Sequence, residues 1–191
     1  QMPEDSHIVL IGDGPMAMAD LQMLLLFNYQ NITLIGKHFL RLNLALKLGA
    51  KRAINFHKAV SAIKNYNHPI VDACIFSAHA DETLNEILPL IRPQGMLFPQ
   101  TRIKGLDILS YLHNSSIRLG RAFAYEFGDF LIVMKLIRDE RINTESLISN
   151  RISLTELPEN ISTPHKSWSA CKTIILNEGL DATIKSYQRA N

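Results

Sequence analysis

The sequence predicts an α/β protein built on a doubly wound parallel sheet, with a small irregular C-terminal extension. Three observations carry that prediction. Apolar, β-branched runs alternate with helix-like stretches from residue 8 to residue 138, the pattern of strands wrapped by helices on both faces. Val71 to Ser77 is a near-continuous apolar run, as expected of a parallel strand covered on both sides. Ile8 to Ile11 leads directly into Gly12-Asp13-Gly14-Pro15-Met16-Ala17 and then a helix-like stretch, the strand–turn–helix context of a G-x-G-x-x-G/A dinucleotide fingerprint.

In that first turn each small residue has a physical task. Gly12 permits a tight turn, Gly14 lets a pyrophosphate approach the backbone, and Ala17 lets helix and strand pack closely. Pro15 suits the first helical turn, which has no use for its missing N–H. The free N–H groups there face the phosphates, and the helix dipole favours their charge. The same letters also fit a tight strand-to-helix turn with no ligand.

Further along, Ile32 to Gly36 reads as a strand. Phe39 to Leu48 reads as a helix, with Leu40, Leu44 and Leu48 at four-residue spacing and Gly49 at the C-cap. Arg52 to Phe56 is a short strand, Val60 to Tyr66 a helix, and Ala80 to Leu90 another. Pro93-Gln94-Gly95 turns the chain before a strand over Gly95 to Phe98. A short helix is expected over Leu106 to His113 and a strand over Ile117 to Ala124. Asp129 to Arg138 is amphipathic, with Phe130, Val133, Met134 and Ile137 on one stripe. The reading divides the chain into a dinucleotide-binding domain, 1–142, and an extension, 143–191. The extension holds an exposed loop over Ser162 to Ser167, a strand over Lys172 to Leu176 and a last helix near Gly179 to Arg189.

Composition narrows the function classes. The chain has 191 residues, 47% hydrophobic and 20% charged, which fits one ordinary globular core. A net charge of +2 without a basic, aromatic-interleaved cluster argues against a nucleic-acid partner. The longest apolar run, Met23 to Phe27, is far too short to span a bilayer, and the polar start is not a secretory signal. Cys74 and Cys171 are the two cysteines and fit a reducing compartment, so a cytoplasmic location is expected. Cys74 reads as a small buried residue, and the sequons at Asn31, Asn114 and Asn160 as chance. The first strand begins within about seven residues of Gln1, so the chain is expected to be a piece of something longer.

Four segments in order then carry a resemblance: residues 12–18 (GDGPMAM), 41–56 (RLNLALKLGAKRAINF), 71–97 and 119–159. Together they resemble the coenzyme-binding half of a medium-chain, zinc-type alcohol dehydrogenase, in its polyol, butanediol and threonine dehydrogenase branch. The resemblance implies an NAD(P)-dependent oxidoreductase whose zinc is held by an N-terminal catalytic domain that these residues do not include. It implies that the extension packs on that domain and that the strand over Lys172 to Leu176 is left without its sheet. It also implies a homodimer paired through the strand over Ile117 to Ala124. No catalytic residue and no metal ligand is assigned in this chain. Its histidines, His7, His38, His57, His68, His79, His113 and His165, read as surface or loop residues.

The coenzyme site is expected at Gly12, Gly14, Pro15 and Met16, at Gly36, Lys37, His38 and Arg41, and, by resemblance, at Ser77, Ala78, His79, Phe98, Pro99 and Gln100. An acid at the end of the second strand ordinarily bonds the ribose hydroxyls of NAD. Gly36 stands there instead, leaving room for a 2′-phosphate, with Lys37 and Arg41 as charge. NADP is therefore favoured over NAD. Asp13 inside the phosphate loop adds repulsion unless it points to solvent. Two functions compete: a coenzyme domain that is inactive alone, and a drifted pseudo-dehydrogenase domain acting as a nucleotide-binding or protein-interaction module. A methyltransferase using S-adenosylmethionine is disfavoured by the order of the four segments.

Overall fold

Six parallel strands form one sheet in the order β3-β2-β1-β4-β5-β6 in the computed structural model. The structure describes residues 2–66, 70–78, 81–103, 115–120, 125–162 and 171–177. The strands are β1 (Ile8–Ile11), β2 (Ile32–Gly36), β3 (Arg52–Asn55), β4 (Val71–Phe76), β5 (Ile91–Pro99) and β6 (Arg118–Leu119). Helices α1 (Pro15–Leu26), α2 (Phe39–Lys47), α3 (Ala59–Lys64) and α4 (Asp81–Ile87) connect the first five, and α5 (Phe127–Arg138) follows β6.

The central strands are apolar because both of their faces are covered. Every residue of β1 and β2 is buried. Val9, Ile11, Ile35, Cys74 and Phe76 pack in one cluster with Ala59 and Ile63 of α3 and Leu84 and Ile87 of α4. Ile8, Leu10, Ile32 and Leu34 alternate to the opposite face, while α1 and α2 bury Ala17, Met18, Leu21, Leu42 and Ala45. Alignment of Ile11 with Ile35 on β2 and with Phe76 on β4 brings the loops after these strands to one edge of the sheet.

Helix ends follow their local chemistry. After α2, Gly49 has φ +110; its N–H donates to Leu46 O, and the Ala50 N–H to Ala45 O. That pair of bonds is a Schellman motif. The same motif closes α1 around Asn28, φ 66, with Tyr29 N–H donating to Leu24 O.

Some expectations need correcting. Pro93-Gln94-Gly95 does not separate two elements. It bulges inside β5, where the pairing jumps from Val71↔Ile91 to Ala73↔Met96. Gln94 takes φ 64, and an added Cβ at Gly95 would lie 2.6 Å from Ile91 Cγ2 and 2.8 Å from Arg92 O. Of the strand expected over Ile117 to Ala124, Arg118–Leu119 pairs with β5; residues 121–124 lie outside the described residues. The helices expected over Leu106 to His113 and Gly179 to Arg189 lie outside them too, as does most of the loop over Ser162 to Ser167.

Residues Gln1–Asn143 form one compact unit and Thr144–Asn191 a second. In the second, β7 (Ile148–Ser153) pairs in parallel with β8 (Lys172–Leu176), and α6 (Leu157–Ser162) lies between them in sequence. The strand over Lys172 to Leu176 was expected to lack a sheet; β7 is its partner, a strand the mixed polar run ISNRIS disguises. No helix among the described residues is long and apolar enough to cross a membrane.

Candidate functional site

A cleft of about 520 Å³ opens at the carboxyl ends of the strands, where β1 and β4 lead away in opposite directions along the sheet. Open α/β sheets bind their ligands at this reversal of strand order. The walls come from the loops after each strand: Gly12 and Asp13 after β1, Gly36 to His38 after β2, Phe56 after β3 and Ala78 after β4. Asp81 and Glu82, in the first turn of α4, add two carboxylates to the lining.

The glycine turn is built as its letters imply. Gly12 has φ +140, and an added Cβ would lie 2.5 Å from Ser77 Oγ, so only glycine serves there. Ser77 is fixed by its N–H and Oγ–H, both donating to Ile11 O at 2.9 and 3.3 Å. A Cβ added at Gly14 meets no atom within 4 Å. The turn is therefore open where a diphosphate would cross the start of α1, and the residues fit that group. Pro15 takes its place in the first turn of α1, and Met16 stands exposed beside it.

The sequence left open whether Asp13 points to solvent, and its side chain does not. It is buried and turns toward the end of β2. Oδ2 accepts from Lys37 N–H at 2.8 Å, His38 N–H at 2.7 Å and His38 Nδ1 at 3.0 Å. Oδ1 accepts from Arg41 Nη1 at 3.4 Å. A carboxylate only accepts, so the His38 proton lies on Nδ1. Gly36 does not leave free room, as expected for a 2′-phosphate. A Cβ there would meet Asp13 Cβ at 2.5 Å and Oδ2 at 2.8 Å.

Of the expected residues, the cleft gathers Gly12, Gly36, Lys37, His38 and Ala78; Gly14, Pro15, Met16, Arg41, Ser77, Phe98, Pro99 and Gln100 are outside its lining, and His79 lies outside the described residues. Phe98 lies against Gly120 beyond the end of β6. Pro99 ends β5. Gln100 Nε2 donates to Asp20 Oδ1 at 3.0 Å, across from α1. Asp20 was not foreseen: burial raises its carboxyl above the ordinary range, opposed by the Gln100 bond. Asp20 Oδ2 and Gln100 Oε1 are buried with no partner among the described residues.

His7 is a loop residue, as expected, but not a surface one. It is buried before β1, with ring contacts to Ile70 O at 3.1 Å and Thr33 Oγ1 at 2.9 Å. His57 is exposed, while His68, His79, His113 and His165 lie outside the described residues. Among the described residues, no group of three His, Cys, Asp or Glu side chains is placed to hold a metal ion. Cys74 is fully buried, and burial pushes its thiol up to about 12, which suits packing and not nucleophilic chemistry.

No protein-family model matches the sequence, and no curated protein matches it. Solved structures match the fold. The 2R,3R-butanediol dehydrogenase of Bacillus subtilis superposes with TM-score 0.78 at 17% identity, over 93% of this chain and 52% of its own. A Sinorhizobium meliloti protein described as a zinc-binding dehydrogenase, bound to NADP, gives 0.76 at 21%, over 91% and 53%. An Escherichia coli alcohol dehydrogenase complexed with NADH gives 0.73 at 18%, over 91% and 53%. The chain spans about half the length of these structures. The chain thus has the fold of one half of these dehydrogenase structures.

Proposed function

We propose that the chain binds a nicotinamide dinucleotide and serves as the coenzyme half of an oxidoreductase acting on an alcohol or polyol. The observation that carries this reading is the glycine turn, open at Gly14, whose Gly12 and Asp13 line a cleft at the reversal of strand order. Gly12 and Gly14 shape the phosphate path, the N–H groups at the start of α1 meet the diphosphate, and Phe56 supplies an apolar wall. When bound, the nicotinamide ring takes up or delivers the hydride. Zinc, substrate contacts and turnover belong to a second domain of the kind these structural relatives carry, and residues 144–191 return to pack on it. A homodimer through the sheet edge at β6 belongs to the same reading, as does a cytoplasmic location.

NADP was favoured because glycine at 36 leaves room and Lys37 offers charge. Asp13 occupies the space that a Cβ at Gly36 would take. The competing reading, a drifted module that has lost the coenzyme, draws on Asp81 and Glu82, two carboxylates lining the cleft. Fluorescence titration of the purified chain with NADH and NADPH separates the two readings. Saturable binding of either, abolished by Gly14→Asp, supports the coenzyme reading. Absence of binding at millimolar coenzyme favours the drifted module.

A further inference from the structure

We infer that Asp13, in the glycine turn after β1, selects the coenzyme, by supplying from that turn the carboxylate ordinarily carried at the end of the second strand. The inference deepens the coenzyme reading and rests on it. An acid about 20 residues beyond the glycines ordinarily binds the ribose hydroxyls. Here that strand end is Gly36, and the carboxylate beside it comes from across the β1–β2 register. The two positions are sterically coupled, because any side chain at 36 meets the Asp13 Cβ.

The donors around Asp13 define what the arrangement excludes. The Lys37 and His38 N–H groups, the His38 ring and the Arg41 guanidinium converge on one carboxylate. With Asp13 absent, the same four donors would form a cradle for a 2′-phosphate, since backbone amides and arginine are its natural partners. With Asp13 in place, that cradle is already filled by an anion of the chain itself. A 2′-phosphate would have to displace the carboxylate or lie against it, and like charges so placed repel strongly. A ribose with a free 2′-hydroxyl brings a donor instead. Among the described residues Oδ1 accepts from Arg41, and one acceptor lone pair of that oxygen serves that hydroxyl. The site therefore takes NAD in preference to NADP.

The test compares NADH and NADPH affinities of the wild-type chain, Asp13→Ala, and the double variant Asp13→Gly with Gly36→Asp. The wild type is expected to favour NADH. Asp13→Ala shifts the ratio toward NADPH by about tenfold or more. The double variant, with its acid returned to the strand end, recovers the preference for NADH. A wild type that binds NADPH as well as NADH, or an unchanged ratio in Asp13→Ala, overturns the inference and leaves the coenzyme reading standing. Binding of neither coenzyme by any of the three overturns the coenzyme reading, and the inference with it. A melting experiment tests the geometry without ligand. Gly36→Ala in the wild type lowers Tm by about 3 °C or more, and in an Asp13→Gly background it costs nothing. Equal losses in both backgrounds overturn the inference.

Discussion

Asp20 and His7 show how single buried polar groups tie this fold to pH. The Asp20 carboxyl is raised chiefly by burial, and among the described residues neither its Oδ2 nor Gln100 Oε1 has a donor. A group with a raised folded value stabilises the protein fully below its unfolded value of about 4 and loses that contribution as pH rises through the folded value. Asp20→Asn removes the charge and offers the missing donor. It is expected to raise stability by about 1 kcal/mol at pH 7 and by nothing near pH 3.5, read by urea denaturation at both pH values. No gain at pH 7 would remove this account of the Asp20–Gln100 pair. His7 has the opposite sign, its ring lowered mainly by burial. Nδ1–H donates to Ile70 O, so the neutral Nε2 accepts from Thr33. That contribution is present above the usual histidine value of about 6.5 and is lost as pH falls through the folded value. His7→Gln is expected to lower stability at pH 7 by about 1–2 kcal/mol and to flatten the fall in urea midpoint between pH 7 and pH 5. The tight turn at Gly12 was legible because its spacing is local. Asp13 was visible as an oddity, but its partner Gly36 is reached only through the β1–β2 register, which no local pattern encodes.

Elements with a clear stop signal were read well, and those interrupted by a bulge or by mixed polarity were not. α2 ends one residue short of the expected Leu48, at Lys47, because Gly49 supplies the left-handed position after the cap. Gly49→Ala places a Cβ at φ +110 and 2.9 Å from Leu25 Cδ1. Leu25 can move but the backbone cannot, so a loss of about 1–2 kcal/mol is expected. Gly128 in the first turn of α5 is the contrast: a Cβ there meets nothing within 4 Å. Gly128→Ala is expected to raise stability by about 0.5–1 kcal/mol. Chemical denaturation of both variants checks the opposite signs, and similar effects of the two substitutions would contradict them. β5 was misread because a proline and a glycine signal a turn in sequence, whereas here they shape a bulge within one strand. β7 was missed because Ile152 is its single buried residue, so the alternation that marks a half-buried strand is faint.

The arrangement of the whole chain was legible through its alternation of strand and helix, which fixes a parallel sheet and so puts every connecting loop of one kind at one edge. That is why the described cleft residues, scattered from Ile11 to Thr83, all fall within the unit Gln1–Asn143. The second unit rests on a two-stranded parallel sheet, the least self-sufficient kind of pairing. Ile161, Ile175 and Leu176 are exposed in it, as Phe127, Phe130 and Met134 of α5 are in the first. If coenzyme binding belongs to the first unit alone, a chain ending at Asn143 keeps it. Its NADH affinity is expected to stay within about threefold of the full chain, and bound coenzyme is expected to raise the melting temperature of both chains alike. Neither chain is expected to oxidise an alcohol above the level of its Gly14→Asp variant, because the proposed function assigns polarisation of the substrate oxygen to a second domain. A truncated chain that folds but loses NADH would move part of the site into residues 144–191. Turnover by either chain would place catalytic groups in this half of the fold, where none has been assigned.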